Sequence, residues 1–227
     1  CDEADLEDHA NQSISYMKSW IPSFVDRIDR MVSRDINHAS VIMWSLGNEA
    51  GAGTNFKDCY EAAHKMDPTR PVIDTSGWYH VVTDIFDVHN YEQNPEKLAD
   101  YYKDADKGEI RDCVDEYDWL KPYKTDIKWD GKQPLFVSEY GGIGWVMKED
   151  ATAWGYGKSV EGEEEFFERL EGLTDALLEN KDIFAYCYTQ LTDVEQEQNG
   201  LLTYDRKFKF DPARYKRIFA KKAAIED

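Results

Sequence analysis

The chain has 227 residues, of which 41% are hydrophobic and 14% aromatic, and its formal net charge is −19. That aromatic content excludes a disordered chain. The charge excludes nucleic acid and acidic membrane surfaces as partners, because phosphate groups would be repelled. No apolar run reaches the roughly 18–20 residues of a membrane span. The four cysteines, Cys1, Cys59, Cys113 and Cys187, are scattered without a C-x-x-C pair. They read as separate thiols rather than a zinc site or a disulfide framework. No signal peptide is visible, but a chain that starts at Cys1 says nothing about its compartment.

The first helix is expected over residues 11–35, where Ile14, Met17, Ile21, Val25, Ile28 and Val32 recur every three or four positions. Pro22 should start a new turn or kink it. Residues 40–46 are apolar and β-branched and read as a buried strand ending at Gly47. A helix over 56–66 follows, stopped by Pro68. Residues 71–75 and 84–89 read as the second and third strands, and 95–107 as a polar helix. Residues 134–138 form the fourth strand. The helix over 163–179 presents Phe166, Leu170, Leu173 and Leu177 on one face and opens on acids, which the helix dipole favours there. Residues 182–189 form the fifth strand, and a basic helix over 215–224 closes the chain.

Buried-looking strands alternating with helices indicate an α/β fold with a parallel sheet. No G-x-G-x-x-G or G-x-x-x-x-G-K-[ST] follows any strand, so a nucleotide site is unsupported. The remaining common architecture is the (β/α)8 TIM barrel, whose reactive residues stand at the C-terminal ends of strands. Those ends here carry Asn48-Glu49, Ser76-Gly77-Trp78, His89-Asn90-Tyr91, Glu139-Tyr140-Gly141-Gly142 and Gln190-Leu191-Thr192-Asp193. Glu49 and Glu139 each follow a hydrophobic strand, with two strands between them. Across a narrow barrel such a pair can face each other, as retaining glycoside hydrolysis requires. There two carboxyl groups stand about 5–5.5 Å apart, one an acid and one a nucleophile.

Val41-Ile42-Met43-Trp44-Ser45-Leu46-Gly47-Asn48-Glu49 and Phe136-Val137-Ser138-Glu139-Tyr140-Gly141 closely resemble the two signatures of glycoside hydrolase family 2. That family holds β-galactosidases, β-glucuronidases and β-mannosidases. The resemblance implies Glu49 as general acid/base, Glu139 as nucleophile and Asn48 as ligand of the sugar 2-hydroxyl. It implies Tyr91 as hydrogen-bond donor to the nucleophile, with His89 two residues earlier on the same strand face. Trp78, Trp145 and Tyr188 are candidates to contact the sugar.

Asp2-Glu3-Ala4-Asp5-Leu6-Glu7-Asp8-His9 resembles the β-galactosidase segment after barrel strand three, with Asp5 where Asn is usual. By that resemblance Glu7, His9 and Glu49 would bind a magnesium ion, although this ion prefers oxygen to imidazole. The β-glucuronidase Asn-x-Lys motif has no counterpart in Glu195-Gln196-Glu197-Gln198-Asn199-Gly200, so a neutral β-galactoside is the expected substrate. Against a strict galactosidase, Gly141-Gly142 replace the His that follows the nucleophile, and Tyr186 and Tyr188 stand where a Trp platform is usual. A β-glucuronidase, β-mannosidase, arabinopyranosidase or non-catalytic sugar-binding domain are the alternatives. A closed barrel takes about 250 residues, and five strands are found. The expectation is therefore one domain over residues 1–227, supplying strands four to eight of a barrel. Its open edge would need covering, for instance by a second copy.

Overall fold

The computed structural model describes residues 14–49, 55–111, 127–145 and 152–227. They fall into two compact units. The first comprises Cys1–Val88 with Asp112–Phe136, and the second His89–Arg111 with Val137–Asp227.

In the first unit, helix α1 spans Ile14–Asp35 and runs through Pro22 without ending there. Strand β1 (Trp44–Ser45) pairs in parallel with β2 (Val72–Ile73), and α2 (Asn55–Met66) lies between them in sequence. Ile28, Met31 and Val32 of α1 pack with Cys59 and Ala63 of α2 and with Trp44, Leu46 and Val72. Met43, on the alternate face, packs with Ile73 and Ile85 instead. That period of two is what a strand covered on both sides requires.

The strand expected over residues 40–46 is shorter in the structure, and Arg70 is the reason. Its Nε donates to the Val41 carbonyl at 2.7 Å and its Nη2 to the Ile36 carbonyl at 2.9 Å. The chain before β1 is therefore held by a guanidinium rather than by a ladder. Nη1 of the same group donates to the buried Asp67 at 2.7 Å, and Trp44 Nε1 donates to that carboxylate at 2.9 Å. Burial alone would raise the Asp67 carboxyl, but donors on Thr69, Arg70 and Trp44 hold it well below the usual carboxylate range. Arg70→Met should cost about 3 kcal/mol in urea denaturation, because it strands a buried charge and frees the end of α1. A loss below about 1 kcal/mol would show that the ion pair is dispensable.

The second unit begins within β3 (Phe86–Asn90), whose sheet order is β3-β4-β5 with β4 at Leu135–Gly141 and β5 at Ile183–Thr189. Helix α3 covers Pro95–Tyr101, opened by Asn94, whose side chain accepts from the Lys97 amide. It stops well short of residue 107. The Tyr102 hydroxyl accepts from Asn90 and its carbonyl from Asn180, which draws the chain out of the helix. Helix α4 (Glu163–Leu178) buries Phe166, Leu170, Leu173 and Leu177 on the expected face. Helix α5 covers Pro212–Phe219, earlier than the expected 215–224, because Asp211 caps it and Pro212 fits its first turn. Cys59 and Cys187 are free thiols. No helix among the described residues is long and apolar enough to cross a membrane.

Candidate active site

The first unit carries Asn48 and Glu49 just past β1. Asn48 continues the parallel pairing by bridging to Ser76. The Glu49 amide donates to the Ser76 carbonyl at 2.9 Å, and the Ser76 amide donates to the Gly47 carbonyl at 2.7 Å. Glu49 itself is held at φ 46°, a left-handed conformation that a side chain rarely adopts and that concentrates at functional sites. The Asn48 side-chain oxygen is buried with no donor among the described residues.

Ser76 is fixed from behind. Its hydroxyl donates to Asp87 at 2.6 Å. Asp87 lies beside His80, whose Nε2 donates to the Asp87 carbonyl at 2.8 Å, with Oδ1 at 3.3 Å. The other ring nitrogen, Nδ1, donates to Asp74 at 2.7 Å. Asp74 in turn accepts from the amides of Thr75, Val81 and Val82. Burial lowers the His80 ring's affinity for a proton. The two aspartates outweigh that effect and push it up to about 9. An imidazolium with both N–H groups engaged is thus built in beneath the end of β2.

The second unit carries His89, Tyr91 and Glu139. Alternation along the chain places His89 and Tyr91 on one face, and both reach the same oxygen of Glu139. The Tyr91 hydroxyl donates to Oε2, and His89 Nδ1 stands 3.3 Å from it. Burial, then the charge of Glu139 and the hydrogen bond to it, raise the Tyr91 phenol far above its ordinary value. It therefore stays protonated and keeps its donor. Gln93 donates to the carbonyls of Tyr91 at 3.0 Å and of Gly141 at 2.5 Å, tying the chain after β3 to the end of β4. Gly141, at φ 86°, has no room for a side chain, since a Cβ there would fall on the Tyr188 ring.

Tyr188 supports Gly141 from behind, and its hydroxyl accepts from the Ile143 amide and donates to the Asn199 carbonyl. Trp145 packs on Phe210 with ring centres 5.1 Å apart, and its indole nitrogen is buried without an acceptor among the described residues. Trp78 is half-buried in the loop after β2. Glu7 and His9 lie outside the described residues. After β5, the Asp193 carboxylate accepts from Lys209 Nζ at 2.7 Å and from the Gly200 amide at 2.9 Å. The buried Lys209 also donates to the Trp145 carbonyl at 3.1 Å. Burial lowers this ammonium's affinity for its proton, and Asp193 opposes that.

The sequence comparison gives the chain a family. The profile of "Glycosyl hydrolases family 2, TIM barrel domain" covers residues 2–221. The chain belongs to glycoside hydrolase family 2. Its fold is that of the family 2 TIM barrel domain. A β-galacturonidase of this family from Eisenbergiella tayi, solved with galacturonate, aligns with a TM-score of 0.65 at 16% identity, over 96% of this chain and 40% of that one. A β-glucuronidase from an uncultured Clostridium species aligns with a TM-score of 0.59 at 18% identity, over 87% of this chain and 35% of that one. Among curated sequences, "Beta-galactosidase 2" of Enterobacter cloacae is 43% identical over 152 residues, which is 61% of this chain and 12% of that protein. A β-galactosidase of Pectobacterium atrosepticum is 45% identical over 74 residues, 31% of this chain and 7% of its own length. The chain thus matches only a small part of these family 2 relatives.

Sequence reasoning missed Gln93, the His80 network and Tyr156, whose ring stacks on Tyr91. The run Trp154-Gly155-Tyr156-Gly157, an aromatic between two glycines, was the available signal for Tyr156.

Proposed function

We propose that this family 2 chain carries the catalytic residues of a retaining β-glycosidase acting on terminal, neutral β-linked sugars, with β-galactosides favoured. β1 to β5 are read as strands four to eight of its barrel. The carrying observation is the environment of Glu139, whose single oxygen Oε2 faces both Tyr91 and His89. The Tyr91 hydroxyl fixes the orientation of this carboxylate, as a nucleophile requires.

In this reading Glu139 attacks the anomeric carbon while Glu49 protonates the departing glycosidic oxygen. A covalent glycosyl ester results. Glu49 then takes a proton from water, which displaces Glu139 with net retention. Asn48 offers its buried oxygen to a sugar hydroxyl. His89, Tyr91, Trp78, Trp145 and Tyr188 belong to the proposal as further sugar-contacting or supporting side chains. A magnesium ion on Glu7, His9 and Glu49 belongs to the proposal as a side element. Only Glu49 of that set is described, and no step is routed through the metal.

The choice of a neutral sugar rests on the loop after β5. Residues 195–200 include two acids and no cation, and Glu197 accepts from Asn199 at 3.0 Å. The nearby Lys209 ammonium is already spent on Asp193. A uronate carboxylate would meet like charge there, which costs several kcal/mol. A panel of nitrophenyl glycosides tests this. The β-galactoside should exceed the β-glucuronide in kcat/KM by about 100-fold or more. A preference for the glucuronide, galacturonide or mannoside would overturn the substrate assignment. The catalytic assignment is tested by replacing Glu139.

A further inference from the structure

Tyr91 supplies the hydroxyl that holds Glu139, but its own ring must be held as well. A phenol hinged on one Cα–Cβ bond swings freely unless its faces are packed. One face of Tyr91 is covered by Tyr156, whose ring lies parallel at an interplanar angle of 3°, with centres 3.5 Å apart. Trp154 then meets the Tyr156 ring edge-on at 5.7 Å.

The backbone is shaped to allow this stack. The Tyr156 amide donates to the Gly142 carbonyl at 2.8 Å, three residues beyond Glu139. Gly142 has φ 59°, and a Cβ there would run into the Tyr156 ring and press on Tyr91 at 3.1 Å. Gly155 packs against the Gly144 backbone so closely that a Cβ would meet its amide nitrogen at 2.7 Å. The same segment is tied on its other side, where Trp154 donates to the Gln196 carbonyl at 2.8 Å and accepts from the Gln198 amide at 2.9 Å. Three independent features, the missing side chain at 142, the close approach at 155 and the paired backbone at 154, converge on delivering one ring to one place.

We propose that Tyr156 is a positioning residue for the nucleophile: it fixes the Tyr91 ring so that the phenol O–H stays directed at Glu139. This inference rests on the catalytic reading of Glu139 given above. Tyr156 acts through Tyr91 and needs no contact with substrate. Its loss should therefore slow the chemical step and leave ground-state binding alone, because a misplacement near 1 Å at a reacting group costs up to about 100-fold.

The test uses the natural protein. Tyr156→Leu should lower kcat on a nitrophenyl β-galactoside about 10- to 100-fold, with KM within about threefold of the parent. Tyr156→Phe, which keeps the stacking face, should restore at least half of the parent rate. The double variant with Tyr91→Phe should be no worse than Tyr91→Phe alone within about twofold, since both remove the same interaction. Should Tyr156→Leu not fold, Tyr156→His carries the same readings with a smaller loss of kcat, about fivefold. A parent-like kcat in the folded variant, a change confined to KM, or multiplicative losses in the double variant would each overturn the proposal. Glu139→Ala separates the two claims. If it stays active, the catalytic reading fails. If it is dead while Tyr156→Leu turns over normally, only the role of Tyr156 fails.

Discussion

Glu139→Ala in the natural protein should lower kcat on nitrophenyl β-galactoside by at least about 10,000-fold, because the proposed mechanism offers no other group to form the glycosyl ester. The size of the loss alone does not identify a nucleophile; the product does. With Glu139 removed, azide added to the assay enters from the face the carboxylate vacated, and the glycosyl azide has inverted configuration. With Glu49→Ala the covalent intermediate still forms from an activated aryl glycoside. Azide then displaces Glu139 and yields the retained azide. The two variants are therefore distinguished by opposite stereochemistry, read by proton coupling at the anomeric centre. Retained product from Glu139→Ala, or undiminished turnover in either variant, sinks the assignment. Tyr91 and His89 enter the same experiment as support, since both face Oε2 of Glu139.

The second large effect is on stability. His80→Ala should cost about 3–5 kcal/mol in urea denaturation, because it leaves Asp74 and Asp87 buried without the cation between them. Its pH signature is distinctive. The folded ring binds its proton up to about 9, against an unfolded value near 6.5. A group raised in this way contributes its full stability below the unfolded value and loses it as pH climbs through the folded one. The rise from 6.5 to about 9 corresponds to about 3 kcal/mol. The parent's unfolding midpoint should fall steadily between those limits, and the His80→Ala variant should show no such slope there. An unchanged parent midpoint from pH 6.5 to 9 would mean that the ring is neutral in the fold. Because Asp87 holds Ser76, and Ser76 holds the backbone of Glu49, activity should decline along with stability in that window.

The elements were legible where one physical cause dominates. The face of α4 followed from spacing alone, and β5 from its apolar run. The chain before β1 was not legible, because the group that takes its carbonyls, Arg70, comes from a segment some thirty positions later. The end of α3 was hidden for the same reason, being set by Asn90 and Asn180. At the candidate site, Glu49, Tyr91 and Glu139 stood out by type and by position after a strand. Their supports did not. Gln93, His80 and Tyr156 have ordinary residue types and act through distant partners, and a sequence shows neither a parallel ring nor a buried proton.

Lys209 joins three stretches of chain with one ammonium: the Trp145 carbonyl after β4, Asp193 after β5 and its own segment before α5. The loop it anchors displays Leu191, Val194 and Tyr204 outward, each at least half exposed. The anchoring residues and the displayed ones are therefore different residues. Substitutions at the outward positions can alter what the loop meets while the inner knot keeps it in register. Such a division lets selection, or a laboratory library restricted to those three sites, vary the surface this loop presents without first having to rebuild it.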